Sequence, residues 1–152
     1  MAIQPVGAFV YDTSLTYTQM RNAYTANSTA TIIAGQFVKL SSGAFLPNAT
    51  SDTTTFGFTI AAGATTSTEP YAAPNGLNIN AIDVLDTRFA VNAIAAFTPT
   101  AGLAYDLVTS SGVPYINSTT AAPFFRVERI HPGDARSDTA PRYVCSVVAT
   151  RQ

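Results

Sequence analysis

GQFVKLSSGAFLPNAT, residues 35–50, and GLAYDLVTSSGVPYINST, residues 102–119, are two versions of one passage. The second carries two extra residues ahead of its Ser-Ser-Gly triplet. After that insertion the correspondence holds: Gly43 answers Gly112, Asn48 answers Asn117 and Phe56 answers Phe125. In each copy β-forming residues flank Ser-Ser-Gly, where glycine supplies the positive φ of a tight turn, so each copy reads as a β-hairpin. Each then runs into a further β-like stretch, FGFTIAAG ending at Gly63 or FFRVERIHPG ending at Gly133. Two related units of about 30 residues, each carrying a hairpin, make an all-β body the expectation.

Strand signals extend outward from these passages. Ile32–Leu40 and Ala44–Leu46 flank the first turn, and Phe56, Phe58 and Ile60 alternate with Gly57 and Thr59. Leu77–Leu85 and Arg88–Phe97 follow, with Asp86 and Thr87 between them. The second unit supplies Ala104–Val108, Val113–Ile116 and Phe124–Ile130, and Tyr143–Ala149 closes the chain. About nine short strands of period two, separated by Gly, Pro and Asn turns, read as a single β-sandwich or barrel-like body. Two long loops interrupt it, at 61–76 and 131–141; loops of that length carry function or are mobile.

Residues 1–28 have no sustained period and read as an N-terminal arm ahead of a body spanning 29–152. Ser14–Tyr24 could form one short helix, with Ser14 as N-cap and Leu15, Met20 and Tyr24 on one side. Its threonine content favours an extended arm equally. Such an arm docks either on its own body or on a neighbour.

With 152 residues the chain is long enough for one domain with its own core. Charged residues are 11% of the total, against a usual value of about 25%. Sixteen Phe and Tyr residues argue against disorder. A formal charge of −1, with Lys39 the one lysine, leaves a charge-poor, Thr-rich surface that favours assembly over life as a monomer. The same balance gives no support to a nucleic-acid or anionic-membrane partner. There is no apolar run long enough to span a bilayer and no signal-like opening, so synthesis in the cytosol is expected.

Candidate chemistry is sparse. His131 is the one histidine, and it sits before Pro132 with no Gly-x-Ser-x-Gly elbow to pair with it, so a turn or interface role is expected. One His and one Cys cannot make a structural zinc site. Asp83 and Asp86 lack a calcium-ligand loop and read as turn caps. Glu69 and Glu128 are the only glutamates available as a hydrolytic pair, and Asp134 and Asp138 alternate with Arg136 as surface ion pairs. The glycines lie at hairpin turns, so no phosphate-binding loop occurs. Cys145 alternates with Tyr143 and Val147 as a buried small hydrophobe. The Asn27, Asn48 and Asn117 sequons are what a Thr-rich chain produces by chance. No enzymatic activity, cofactor or metal is expected.

Arg126, Arg129, Arg136 and Arg142 crowd the late part of the chain. Arginine is enriched at protein interfaces, where its fork clamps carboxylates. Together with Phe9, Tyr11, Tyr17 and Tyr24 of the arm and Tyr71 of the first long loop, they form the expected interface set.

The arm, AGQFVKLSSGAFLP, FGFTIAAG and YDLVTSSGVPYIN together resemble capsid decoration (cement) proteins of tailed bacteriophages, a resemblance covering Ala30 to Ala149. It implies a β-rich structural protein without enzymatic activity. Such a protein is made in the host bacterial cytoplasm and resides on the outer capsid surface of the virion. Its partner there is the major capsid protein, across whose subunit junctions it sits as a homo-oligomer, with a trimer favoured and a dimer the alternative. The competing reading is a carbohydrate-binding or tail-fibre/tail-tube β module, with Tyr71, Tyr105 and Tyr115 as stacking candidates; the absence of Trp weakens it.

Overall fold

The computed structural model describes residues 8–13, 21–24, 31–32, 35–59, 63–64, 79–85, 87–94, 97–133 and 141–152. Within them every regular element is a strand. In chain order these are β1 (Ala8–Thr13), β2 (Arg21–Tyr24), β3 (Thr31–Ile32), β4 (Phe37–Ser41), β5 (Ala44–Pro47), β6 (Thr54–Thr55), β7 (Gly57–Thr59) and β8 (Gly63–Ala64). They continue as β9 (Ile79–Ile82), β10 (Thr87–Asn92), β11 (Ala104–Ser110), β12 (Val113–Ile116), β13 (Pro123–Ile130), β14 (Arg142–Val147) and β15 (Thr150–Arg151). The all-β expectation holds, and each of the nine segments singled out by alternation contains a strand. The additional ones are β1 and β2 in the N-terminal region and the two-residue pieces β3, β6, β8 and β15.

The chain divides into two compact units. Residues 1–14, 49–53 and 85–149 form one; residues 15–48, 54–84 and 150–152 form the other. Of the arm expected over residues 1–28, the described residues are 8–13 and 21–24. The described parts of that arm are extended and belong to sheets of this same chain: β1 pairs with β10, and β2 pairs with β9. A helix running to Tyr24 does not form, because Arg21–Tyr24 is strand; residues 14–20 lie outside the described residues.

Both hairpins turn the same way for the same reason. Ser41 pairs with Ala44 and Ser110 with Val113, leaving two-residue loops. Both loop residues are left-handed: Ser42 at φ 51° and Gly43 at 74°, Ser111 at 51° and Gly112 at 78°. Two successive positive φ values define the turn whose twist matches that of the flanking strands. The backbone bonds that follow also correspond. Asn48 N–H donates to Phe37 O at 2.8 Å, and Asn117 N–H donates to Asp106 O at 2.9 Å.

The likeness extends well past the hairpins. The five-stranded sheet of one unit has the order β2-β9-β7-β4-β5, and five strands of the other sheet run β10-β14-β13-β11-β12. Numbered within each unit in chain order, leaving the two-residue strands aside, both arrangements are 1-5-4-2-3, and every pairing is antiparallel. One five-strand plan is thus used twice.

In the first unit β1 extends this plan to a six-stranded sheet, β1-β10-β14-β13-β11-β12. The sheet curls back on itself: Ala93 bridges Ile116, and Ile94 N–H donates to Ile116 O at 2.9 Å. Phe89, Val91, Leu107, Ile116, Phe124, Phe125 and Val127 are fully buried in it. Consecutive phenylalanines on a regular strand would face opposite ways. Here the register steps from Tyr105↔Phe125 to Asp106↔Pro123, so Phe124 is the extra residue of a bulge. The two rings meet edge to face, 4.9 Å apart. Asp106, also buried, accepts hydrogen bonds from Thr119 Oγ1 at 2.6 Å and Ala122 N–H at 2.8 Å, which satisfies its carboxylate.

The second unit buries Ile32, Val38, Phe45, Phe56 and Ala81 as one cluster. Phe37 and Phe58, paired in register, have ring centroids 4.9 Å apart at a tilt of 58°. β15 pairs in parallel with β6, Gln152 Oε1 accepts the Leu40 N–H at 2.9 Å, and Arg151 Nε lies 3.1 Å from Asp83 Oδ2. β7 approaches β9 so closely that a Cβ on Gly57 would lie 2.7 Å from Ile82 O.

Two glycine substitutions separate conformational from steric cost. Gly43→Ala meets nothing within 4 Å and carries only the left-handed penalty, about 1 to 2 kcal/mol. Gly57→Ala forces β7 and β9 apart and is expected to cost about 3 kcal/mol or more. Urea unfolding of both variants checks the order.

Candidate functional site

The described residues gather one dense group of polar aromatic and cationic side chains, on one face of the six-stranded sheet. Strand alternation and register place it. Phe9 stands opposite Ala90, Ala90 opposite Val144, and Val144 opposite Arg129, a row across β1, β10, β14 and β13. Two residues along, the next row on the same face is Arg88, Ser146 and Arg126. Ala90 and Val144 are fully buried and form the floor.

Two irregularities shape what stands on that floor. The β1–β10 register shifts between Val10 and Asp12, so Tyr11 is unpaired at a bulge; the β13–β14 register shifts between Val127 and Arg129, so Glu128 is. Bulges re-aim side chains relative to the regular pleat. Glu128 turns to Arg88, whose Nε lies 3.2 Å from Oε1. The second bulge lets Arg126 and Arg129, three residues apart, both be exposed on one face.

His131 sits at the centre. Its ring lies 5.2 Å from that of Tyr11 at 79° and 6.2 Å from that of Phe9 at 62°, both edge contacts. Gly133 N–H donates to His131 Nδ1 at 3.0 Å, which puts the proton of the neutral imidazole on Nε2. Guanidinium groups flank the aromatic trio. Arg129 Cζ is 5.6 Å from the Tyr11 ring centroid and its Nη2 is 3.4 Å from the Tyr11 hydroxyl; Arg142 Cζ is 5.4 Å from the Phe9 centroid. Cation–π contacts of this kind contribute about 0.5–1 kcal/mol where exposed and more where desolvated.

Four members of the expected interface set are therefore brought together, Phe9, Tyr11, Arg129 and Arg142, with Arg126 one row away. Tyr24 is on β2, in the other unit. Tyr17, Tyr71 and Arg136 lie outside the described residues, as do Glu69, Asp86, Asp134, Asp138 and Asn27. His131 was expected at a turn or interface; its place between Phe9 and Tyr11 had no local signal, since more than a hundred residues separate it from them in the chain. Ala90, the small floor residue, is a faint signal in hindsight, an alanine within the β-forming run RFAV.

The other candidates have structural employment. Asp83 holds Arg151, and no group of three or more His, Cys, Asp or Glu among the described residues could hold a metal ion. Asn48 is buried, donating to Thr54 O at 2.7 Å and accepting from Thr55 Oγ1 at 2.9 Å, so its sequon is closed in the folded chain. Tyr105 is buried too: it packs against Phe97, and its hydroxyl accepts the Thr100 N–H at 2.9 Å. That removes it as a sugar-stacking residue. Tyr115 is half-buried on β12.

Cys145 is fully buried, as alternation suggested. Burial raises its thiol pKa well above the ordinary value, and the negative charge of Glu128 adds to the effect. No family model, curated protein or solved structure matches this chain.

The buried thiol gives a prediction with a defined sign. The unfolded thiol loses its proton near pH 8.5 while the folded one keeps it, so stability falls as pH rises above about 8.5. Thermal unfolding should show this decline, and Cys145→Ala should lack that component of it. A thiol-reactive disulfide reagent should label Cys145 only when the chain is unfolded.

Proposed function

We propose that this protein is a structural virion component, a capsid decoration protein of a tailed bacteriophage. It binds the outside of the head and ties neighbouring major capsid protein subunits together. The observation that carries the reading is the aromatic–guanidinium group on the six-stranded sheet. Tyr and Arg dominate interface hot spots because they bring large contact area and directional hydrogen bonds at low conformational cost. In this chain they stand on hydrogen-bonded strands, and the rings of Phe9 and Tyr11 hold Arg142 and Arg129 in place.

The composition supports the same reading. A charge content of 11% and a net charge of −1 suit a protein that functions within an assembly. A homo-oligomer, trimer before dimer, engages several capsid subunits at once, so a modest single contact suffices. Residues 8–13 enter this scheme as a sheet strand, β1, and the contact is assigned to the face that β1 helps to build.

Co-sedimentation with expanded capsids of the cognate phage tests the reading. The chain should pellet with capsids at saturable stoichiometry, and Tyr11→Ala should lower its affinity about tenfold or more. A chain that stays in the supernatant at every concentration would overturn it.

A further inference from the structure

We infer that the outer face of the six-stranded sheet, around Tyr11, Arg126 and Arg129, docks on an acidic protein surface and takes the partner's side-chain carboxylates on its guanidinium groups. The inference rests on the structural-protein reading for the kind of partner and on the sheet's own charge for its chemistry.

Four guanidinium groups stand on or beside this face: Arg88, Arg126, Arg129 and Arg142. Among the described side chains one carboxylate accompanies them, Glu128, and it is engaged with Arg88 at 3.2 Å. Asp12 aligns in backbone register with Arg88, at the outer edge. Arg126 and Arg129 thus form the local excess: both are exposed, and neither has an ion-pair partner among the described residues. Arg129 is held by Tyr11 through both ring and hydroxyl. A guanidinium already positioned by a ring gives up less rotamer freedom when it forms a two-pronged bond to a carboxylate.

A phosphate backbone would match the same fork, but the rest of the chain argues for carboxylates. Nucleic-acid binding draws on a broad positive field from many lysines and arginines. This chain has a net charge of −1 and a single lysine, Lys39, which lies in the other unit. A local cationic excess on a nearly neutral protein fits complementary charges across a protein interface instead.

The test is a titration of the full chain, followed by backbone amide resonances, with a hexaglutamate peptide as the probe and hexalysine and a short oligothymidylate as comparisons. Saturable shifts should centre on Tyr11, Arg126, Arg129 and His131 with hexaglutamate and be absent with hexalysine. The Arg126→Ala/Arg129→Ala double variant should weaken binding about tenfold or more. Because both side chains are exposed, its circular dichroism should match that of the parent. No saturable shift, shifts centred elsewhere, or tighter binding of oligothymidylate at these residues would each overturn the inference. Capsids separate it from the function it rests on. If they bind wild type and Arg126→Glu/Arg129→Glu equally, the docking face is wrong and the virion reading stands. If they ignore wild type while hexaglutamate binds here, the virion reading fails and the face stands.

Discussion

Two left-handed residues in succession, Ser then Gly, set both hairpins, and most of the remaining structure follows from that constraint. A two-residue loop of this hand fixes the pairing on either side, so Ser41 meets Ala44 and Ser110 meets Val113. Because side chains alternate faces, a slip of one residue would turn every core residue outward. With register fixed, β4 and β11 become the templates on which β7 and β13 pair, and these in turn receive β9 and β14. The glycine bears the larger share of the constraint, since serine at positive φ is tolerated only at a cost.

The doubled plan and the single surface divide the labour. What recurs between the units is strand order, the two-residue turn and the backbone bonds of Asn48 and Asn117 that follow it. What does not recur is chemistry. The arginines at 126 and 129 are exposed on the six-stranded sheet, and the hairpin passage of the other copy, residues 35–50, holds no arginine. A duplicated scaffold with one elaborated face is a plan for presenting a surface.

The hairpins, the nine strand segments and the burial of Cys145 were legible because each rests on local signals, a turn triplet or a period of two. The N-terminal region was not. Its sequence shows no period, and β1 becomes a strand because β10 offers it an edge, a partner about eighty residues away in the chain. Residue types point to Phe9, Tyr11, Arg129 and Arg142 and give His131 a turn or interface role, but they carry no sign that His131 meets Phe9 and Tyr11, which lie more than a hundred residues away in the chain. Tyr105 is buried for a related reason: its hydroxyl accepts the Thr100 N–H and its ring meets Phe97, contacts that a tyrosine on a strand does not announce.

The sequence by itself determined the all-β class, the two matching turns and the poverty of reactive residues, because these depend on neighbours within a few positions. Tertiary structure alone decided that the five-strand plan is used twice and that the first strand joins the second copy of it. It also decided that Tyr11 and Arg129 meet over a floor of Ala90 and Val144. Those outcomes depend on long-range pairing and on single-residue bulges at Tyr11 and Glu128. A bulge is a compromise between two strands, and neither strand's sequence contains it.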